Sequence, residues 1–134
     1  YLLIETEKGL QSYCNAGHPP PILFRADGIV EKLEKGGPMV GLKGALPFEE
    51  GEIALVPGDR VVLYTDGVVE YEKSDMDFYG EERFRAVITR SAGLHIDGFL
   101  DAVMEDLTAF GEGAPPRDDI TLLAFEYMGK DSNP

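Results

Sequence analysis

The chain has 134 residues, 43% of them hydrophobic, enough to build a core at a length that suits one domain or a piece of one. Twelve basic against 25 acidic side chains give a formal net charge of −13, a field that repels nucleic acid and anionic lipid, so neither is an expected partner. That field also repels a phosphorylated substrate, and phosphate chemistry on this chain therefore calls for a bound cation to reverse the local sign.

Residues 1–6 and 10–14 flank the turn-forming Glu7, Lys8 and Gly9 and read as a β-hairpin. The apolar opening Tyr1, Leu2, Leu3, Ile4, with no Met and no basic leader, suggests a boundary inside a larger protein, with upstream structure to cover it. Cys14 is the only cysteine, which excludes an intrachain disulfide and a thiolate zinc cage. It is expected to be a small buried hydrophobe, and its solitude fits a reducing, cytoplasmic compartment. Residues 22–25 and 29–33 bracket Ala26, Asp27 and Gly28 as a second hairpin with an Asp-Gly turn. The stretch 35–48, rich in Gly and Pro, reads as a winding loop. Residues 52–56 and 60–64 follow as short strands around Pro57, Gly58 and Asp59.

Helical spacing starts only after Gly80, where Phe84, Val87 and Ile88 form a stripe and place a helix near 81–91. A second helix, 97–110, carries Phe99, Leu100, Val103, Met104, Leu107 and Phe110 on one face, with Gly111 set to stop it. Residues 120–127 form a last apolar strand, and the tail 129–134 is expected to fray. Strands, then helices, then a returning strand give an α+β class, with helices on one face of a mainly antiparallel sheet. No apolar run reaches the ~20 residues of a membrane span.

Three acidic residues sit where chemistry is possible. Asp66 follows the strand at 60–64, and two readings of it compete. Asp66-Gly67 between two apolar runs makes a good hairpin turn. Alternatively, a carboxylate at a strand mouth offers hard oxygen to a divalent cation, with Gly67 permitting close approach. Asp118 and Asp119 precede the last strand, and two adjacent carboxylates there call either for water or a cation, or for a solvated loop in which one Asp caps backbone N–H groups. Oxygen ligands favour Mg²⁺ or Mn²⁺ over zinc. Arg117 beside them is either a phosphate contact or a local ion pair. His18 is read as a surface or turn residue, and His95, the other histidine, gives it no partner for a metal cage or a catalytic triad.

In order along the chain stand Asn15-Ala16-Gly17-His18-Pro19-Pro20-Pro21, Gly36-Gly37-Pro38 with Gly41-Leu42, Pro57-Gly58-Asp59, Leu63-Tyr64-Thr65-Asp66-Gly67-Val68 with Glu70, Phe78-Tyr79-Gly80 with Arg83-Phe84, and Asp118-Asp119-Ile120-Thr121-Leu122-Leu123. This ordered set resembles the sporulation stage II protein E-like phosphatases of the metal-dependent PPM, or PP2C-like, superfamily. The resemblance implies a PP2C-like antiparallel β-sandwich flanked by helices, with 1–128 as the C-terminal portion of such a domain and its N-terminal part, with further metal-binding acids, missing. It implies a bacterial signalling enzyme, a serine/threonine protein phosphatase using two Mn²⁺ or Mg²⁺ ions and an activated water. Asp66 and Asp118 then match catalytic metal ligands, Gly67 and Asp119 adjoin them, and Asn15, Gly17 and His18 lie at the periphery. The implied partners are a phosphorylated regulatory protein such as an anti-sigma factor antagonist and a sensor or receiver domain upstream in the same chain; a homodimer of the isolated chain is expected on separate grounds, from strand edges and an apolar face left without neighbours. The competing expectation is an incomplete or degenerate phosphatase-fold module, weak or inactive by itself, that serves only for interaction.

Overall fold

The computed structural model describes residues 1–42, 47–74 and 76–130. Part of the expected loop at 35–48 and most of the expected tail at 129–134 therefore lie outside the described residues. Two compact units are present, one formed by Tyr1–Val61 with the C-terminal residues from Phe125, the other by Val62–Ala124.

In the first unit, β1 (Leu2–Glu5) and β2 (Leu10–Tyr13) form the expected antiparallel hairpin, with Leu2 opposite Tyr13 and Glu5 opposite Leu10. Gly9 turns it at φ 62°, a conformation that costs glycine little. The short strand β3 (Asn15–Ala16) follows, then the second hairpin, β4 (Ile22–Phe24) and β5 (Val30–Lys32), closed by Asp27 and Gly28 as the Asp-Gly signal predicts. Asp27 Oδ1 accepts the Ile29 N–H at 3.1 Å.

The winding-loop expectation is corrected at β6 (Gly36–Gly37), which pairs in parallel with β3. A Cβ at Gly36 would overlap the Asn15 carbonyl, so only glycine lets these backbones approach. β7 (Gly51–Ala54) adds to the free edge of β2, and Gly51 leaves room for the ring of Tyr13 opposite it. Residues 52–56 and 60–64 are thus not partners: the first strand belongs with β2, while β8 (Arg60–Tyr64) lies between β4 and β11 (Leu122–Glu126), both β8 and β11 continuing into the second unit. Cys14 is half-buried where full burial was expected. Gln11 is fully buried, and neither of its amide atoms has a partner among the described residues.

Asp59 is 0% exposed. Its Oδ2 accepts the Val56 N–H at 3.0 Å and Nη1 of Arg25 at 3.0 Å, and its Oδ1 accepts the Ala26 N–H at 2.9 Å. One carboxylate thus ties the Pro57-Gly58-Asp59 turn to the end of β4 just before β8 starts.

The second unit contains α1 (Asp66–Val69), the small hairpin β9 (Glu72–Ser74) and β10 (Asp77–Phe78), α2 (Gly80–Arg90) and α3 (Ile96–Gly111). Both long helices are where their apolar spacing put them. Phe84, Val87 and Ile88 of α2 and Phe99, Val103 and Leu107 of α3 are buried, whereas Met104 is exposed and falls off the stripe. Gly111 ends α3 but does not make the left-handed cap, since Glu112 takes that conformation at φ 48°. Gly111 is needed for room: a Cβ there would run into the Tyr71 ring.

Tyr79, 1% exposed, donates its hydroxyl to Asp106 Oδ2 at 2.5 Å, and its ring meets Phe110 edge-on at 5.5 Å. Burial first, then the Asp106 bond, pushes its phenol well above the ordinary range. Arg90 pairs with the other oxygen of Asp106, so this group joins α2 to α3. Tyr79→Phe keeps the ring and orphans the carboxylate oxygen, and is expected to cost about 1–3 kcal/mol in a urea unfolding measurement. A change below a few tenths would contradict this role.

Candidate functional site

Strand β8 delivers Thr65 and Asp66 to its C-terminal end, and Asp118 and Asp119 lie in the segment that leads through Ile120 and Thr121 into β11. The two ends are bonded side by side. The Thr65 N–H donates to the Thr121 carbonyl at 3.1 Å, the Thr65 hydroxyl donates to the Asp119 carbonyl at 2.8 Å, and the Thr121 N–H donates back to Thr65 Oγ1 at 2.9 Å. Gly67 is buried against the Asp118–Asp119 peptide, where a Cβ would collide with the Asp119 carbonyl oxygen and lie 3.0 Å from its carbon. The hairpin-turn reading of Asp66-Gly67 is overturned. These residues open α1, with the Val68 N–H bonded to the Thr65 carbonyl and the Glu70 N–H to the Asp66 carbonyl.

Asp66, Asp118 and Asp119 are all exposed. Asp66 Oδ1 accepts the Gly67 N–H at 3.1 Å and Asp118 Oδ1 accepts the Asp119 N–H at 2.7 Å, so one oxygen of each carboxylate makes a local backbone bond. Their second oxygens have no protein partner among the described residues. The donor chemistry fits a hard divalent cation, in that anionic oxygens and nearby backbone carbonyls stand at two adjoining strand ends with no nitrogen or sulfur donor among them. Among the described residues no group of three or more His, Cys, Asp or Glu side chains is placed to hold an ion.

The loop leading to Asp118 is held at its other end by the segment after α1. Tyr71 donates its hydroxyl to the Ala114 carbonyl, Lys73 Nζ pairs with Glu112 Oε1 at 2.5 Å, and Arg117 pairs with Glu72, whose side chain is only 8% exposed. Arg117 was expected to contact either a phosphate or its neighbouring aspartates; its ion pair is with Glu72 instead. Thr65, Tyr71 and Glu72 escaped the sequence reading. Thr65 alone left a trace, as a hydroxyl at a strand end beside a candidate ligand.

Asn15, Gly17 and His18 lie in the first unit. Asn15 Nδ2 donates to the His18 carbonyl at 2.7 Å and its Oδ1 accepts the His18 N–H at 2.9 Å, closing a tight loop in which Gly17 takes φ 86°. His18 is exposed, with Nδ1 2.9 Å from the Pro19 carbonyl. The side-chain bonds of Asn15 and the β3–β6 pairing account for this motif and for Gly36-Gly37 as one local structure.

Among the described residues no helix is long and apolar enough to cross a membrane. The chain is 30% identical over 122 residues to Protein IcfG of Synechocystis sp., a match covering 91% of this chain and 19% of that protein. It is 33% identical over 70 residues to the phosphoserine phosphatase RsbP of Bacillus subtilis, covering 52% of this chain and 17% of that one. The chain thus spans less than a fifth of the length of these curated relatives. In fold it resembles the SiaA-PP2C domain of Pseudomonas aeruginosa, with a TM-score of 0.71 at 22% identity over 89% of this chain and 47% of that one, which bears out the expected PP2C-like class. The family model for Stage II sporulation protein E (SpoIIE) matches residues 1–128, and the chain belongs to that family of phosphatase-fold signalling proteins.

Proposed function

We propose that this chain supplies part of the active site of a metal-dependent serine/threonine protein phosphatase, with Asp66 and Asp118 as ligands of Mn²⁺ or Mg²⁺ and a phosphorylated regulatory protein as substrate. The observation that carries this reading is the packing of Gly67 against the Asp118–Asp119 peptide, which puts two exposed carboxylates at adjoining strand ends where a turn alone requires neither. Asp66 and Asp118 would hold the cations through oxygen, with Asp119 beside them as neighbour or alternate ligand. Bound ions of this type lower the pKa of water and neutralise charge at a phosphoryl group. Thr65 and Gly67 fix the separation of the two loops, so the carboxylates meet an ion without first being ordered. The net charge of −13 makes that neutralisation a condition for a phosphate dianion to approach. The chemistry needs no nucleophile from the protein, which suits the half-burial of Cys14.

Phosphate release from a phosphoserine protein, measured on the protein in its full natural length, tests the reading. Asp66→Asn and Asp118→Asn keep shape and remove charge, and each is expected to lower turnover by more than the roughly 10- to 100-fold that loss of an outer-shell partner costs, with partial rescue at high Mn²⁺. Cys14→Ala should leave turnover nearly intact. Unchanged turnover and metal dependence in both Asp variants would reject Asp66 and Asp118 as metal ligands, and absence of phosphate release from the wild type at any Mn²⁺ concentration would leave a module that acts by interaction alone.

A further inference from the structure

Glu72 has the features of a group placed for another residue's sake. Its side chain is 8% exposed, yet it stands on a short strand of an exposed hairpin and its carboxylate faces two donors, Arg117 and the Met76 N–H at 3.0 Å. Arg117 is 72% exposed, so the pair adds little stability by itself. What the pair does is geometric. Arg117 immediately precedes Asp118, and on the other side Asp119 is held through its carbonyl by Thr65 and backed by Gly67. Asp118 is thereby fixed from both flanks. Both fixings come from one stretch, 65–72, which also carries Asp66.

We infer that Glu72, acting through Arg117, is a positioning residue that sets where the Asp118 carboxylate stands relative to Asp66, and so sets divalent-cation affinity. The inference rests on the proposed cation-binding reading of Asp66 and Asp118. It assigns Arg117 a role different from contact with the substrate phosphate, since its guanidinium is turned to Glu72. It also accounts for a buried carboxylate on β9: a fixed anion is needed there to draw the Arg117 stem, and with it the loop after α3, against the hairpin. The planar guanidinium and a single charge carry the pairing, so lysine should keep the charge and lose part of the fork geometry.

The test measures Mn²⁺ binding by electron paramagnetic resonance, together with the KM for a phosphoserine protein, on the protein in its full natural length. Glu72→Gln and Arg117→Gln should each raise half-saturating Mn²⁺ by about 10-fold or more, within the range expected for outer-shell partners. KM and the thermal midpoint should stay near wild type, and Arg117→Lys should recover most of the affinity. Because Arg117 is exposed, its variants should fold. Unchanged Mn²⁺ affinity with a raised KM in Arg117→Gln would overturn the inference in favour of a phosphate contact. A fall in thermal midpoint with unchanged Mn²⁺ affinity would overturn it in favour of a purely structural ion pair. Asp66→Asn separates this from the underlying reading: if it weakens Mn²⁺ while Glu72→Gln does not, only the positioning role fails, and if neither weakens Mn²⁺, the cation site itself fails.

Discussion

Asp59→Ala is expected to destabilise the protein by about 3–5 kcal/mol, the range for breaking a buried, hydrogen-bonded charge pair by removing one partner. The carboxylate accepts bonds from the Val56 N–H, the Ala26 N–H and Arg25, and it is fully buried, so its removal orphans two backbone donors and takes from Arg25 one of its two acidic partners. Against the roughly 5–15 kcal/mol typical of a whole domain, such a loss brings the fold near its limit. Arg25 retains Glu31 at 2.8 Å and the Ala54 carbonyl at 2.8 Å, which keeps the cost from being larger. Asp59→Asn keeps the size but turns an NH₂ toward donors, so it should recover only part of the loss. Urea unfolding measures both, and a cost below about 1 kcal/mol for Asp59→Ala, the ordinary net worth of one hydrogen bond, would contradict the role assigned to this turn.

The second large effect is expected at Gly67, with a different signature. A Cβ there would overlap the Asp119 carbonyl oxygen, and the atom in the way is backbone, which cannot swing aside as a side chain would. Gly67→Ala should therefore push the Asp118–Asp119 peptide away from Asp66, at a cost of about 1–3 kcal/mol for overpacking. Half-saturating Mn²⁺ should rise by about 10-fold or more, as for other changes that misplace a ligand. Gly98→Ala is the control. Gly98 lies inside α3, where the nearest atom to an added Cβ is the Leu94 Cβ at 3.8 Å, so alanine should stabilise the helix by about 0.5–1 kcal/mol and leave metal dependence alone. Equal metal dependence in Gly67→Ala and wild type would remove the close approach of the two loops as a functional feature.

Much of this architecture is legible in the chain because periodicity reports burial directly. The stripes Phe84-Val87-Ile88 and Phe99-Val103-Leu107 locate α2 and α3, and Glu-Lys-Gly and Asp-Gly locate the two hairpins. The features that escaped depend on pairings distant in sequence. Nothing near Gly36 announces that its backbone must lie on Asn15, and nothing near 52–64 says that the two strands there belong to different sheets. Asp66-Gly67 reads equally well as a turn or as a strand-end carboxylate because both uses favour the same dipeptide. Only the position of the Asp119 carbonyl separates them, and it comes from 52 residues further along. For the same reason nothing in the sequence around Glu72 singles it out, its partner Arg117 lying beyond two helices.

Direct titration of Mn²⁺ into wild type, Asp66→Asn and Asp118→Asn, with bound ion read by electron paramagnetic resonance and no substrate present, tests the central claim that these two carboxylates share a cation-binding site. The proposed site predicts that each variant loses affinity for the ion while retaining the wild-type thermal midpoint in its absence. Wild-type affinity in both variants would contradict it.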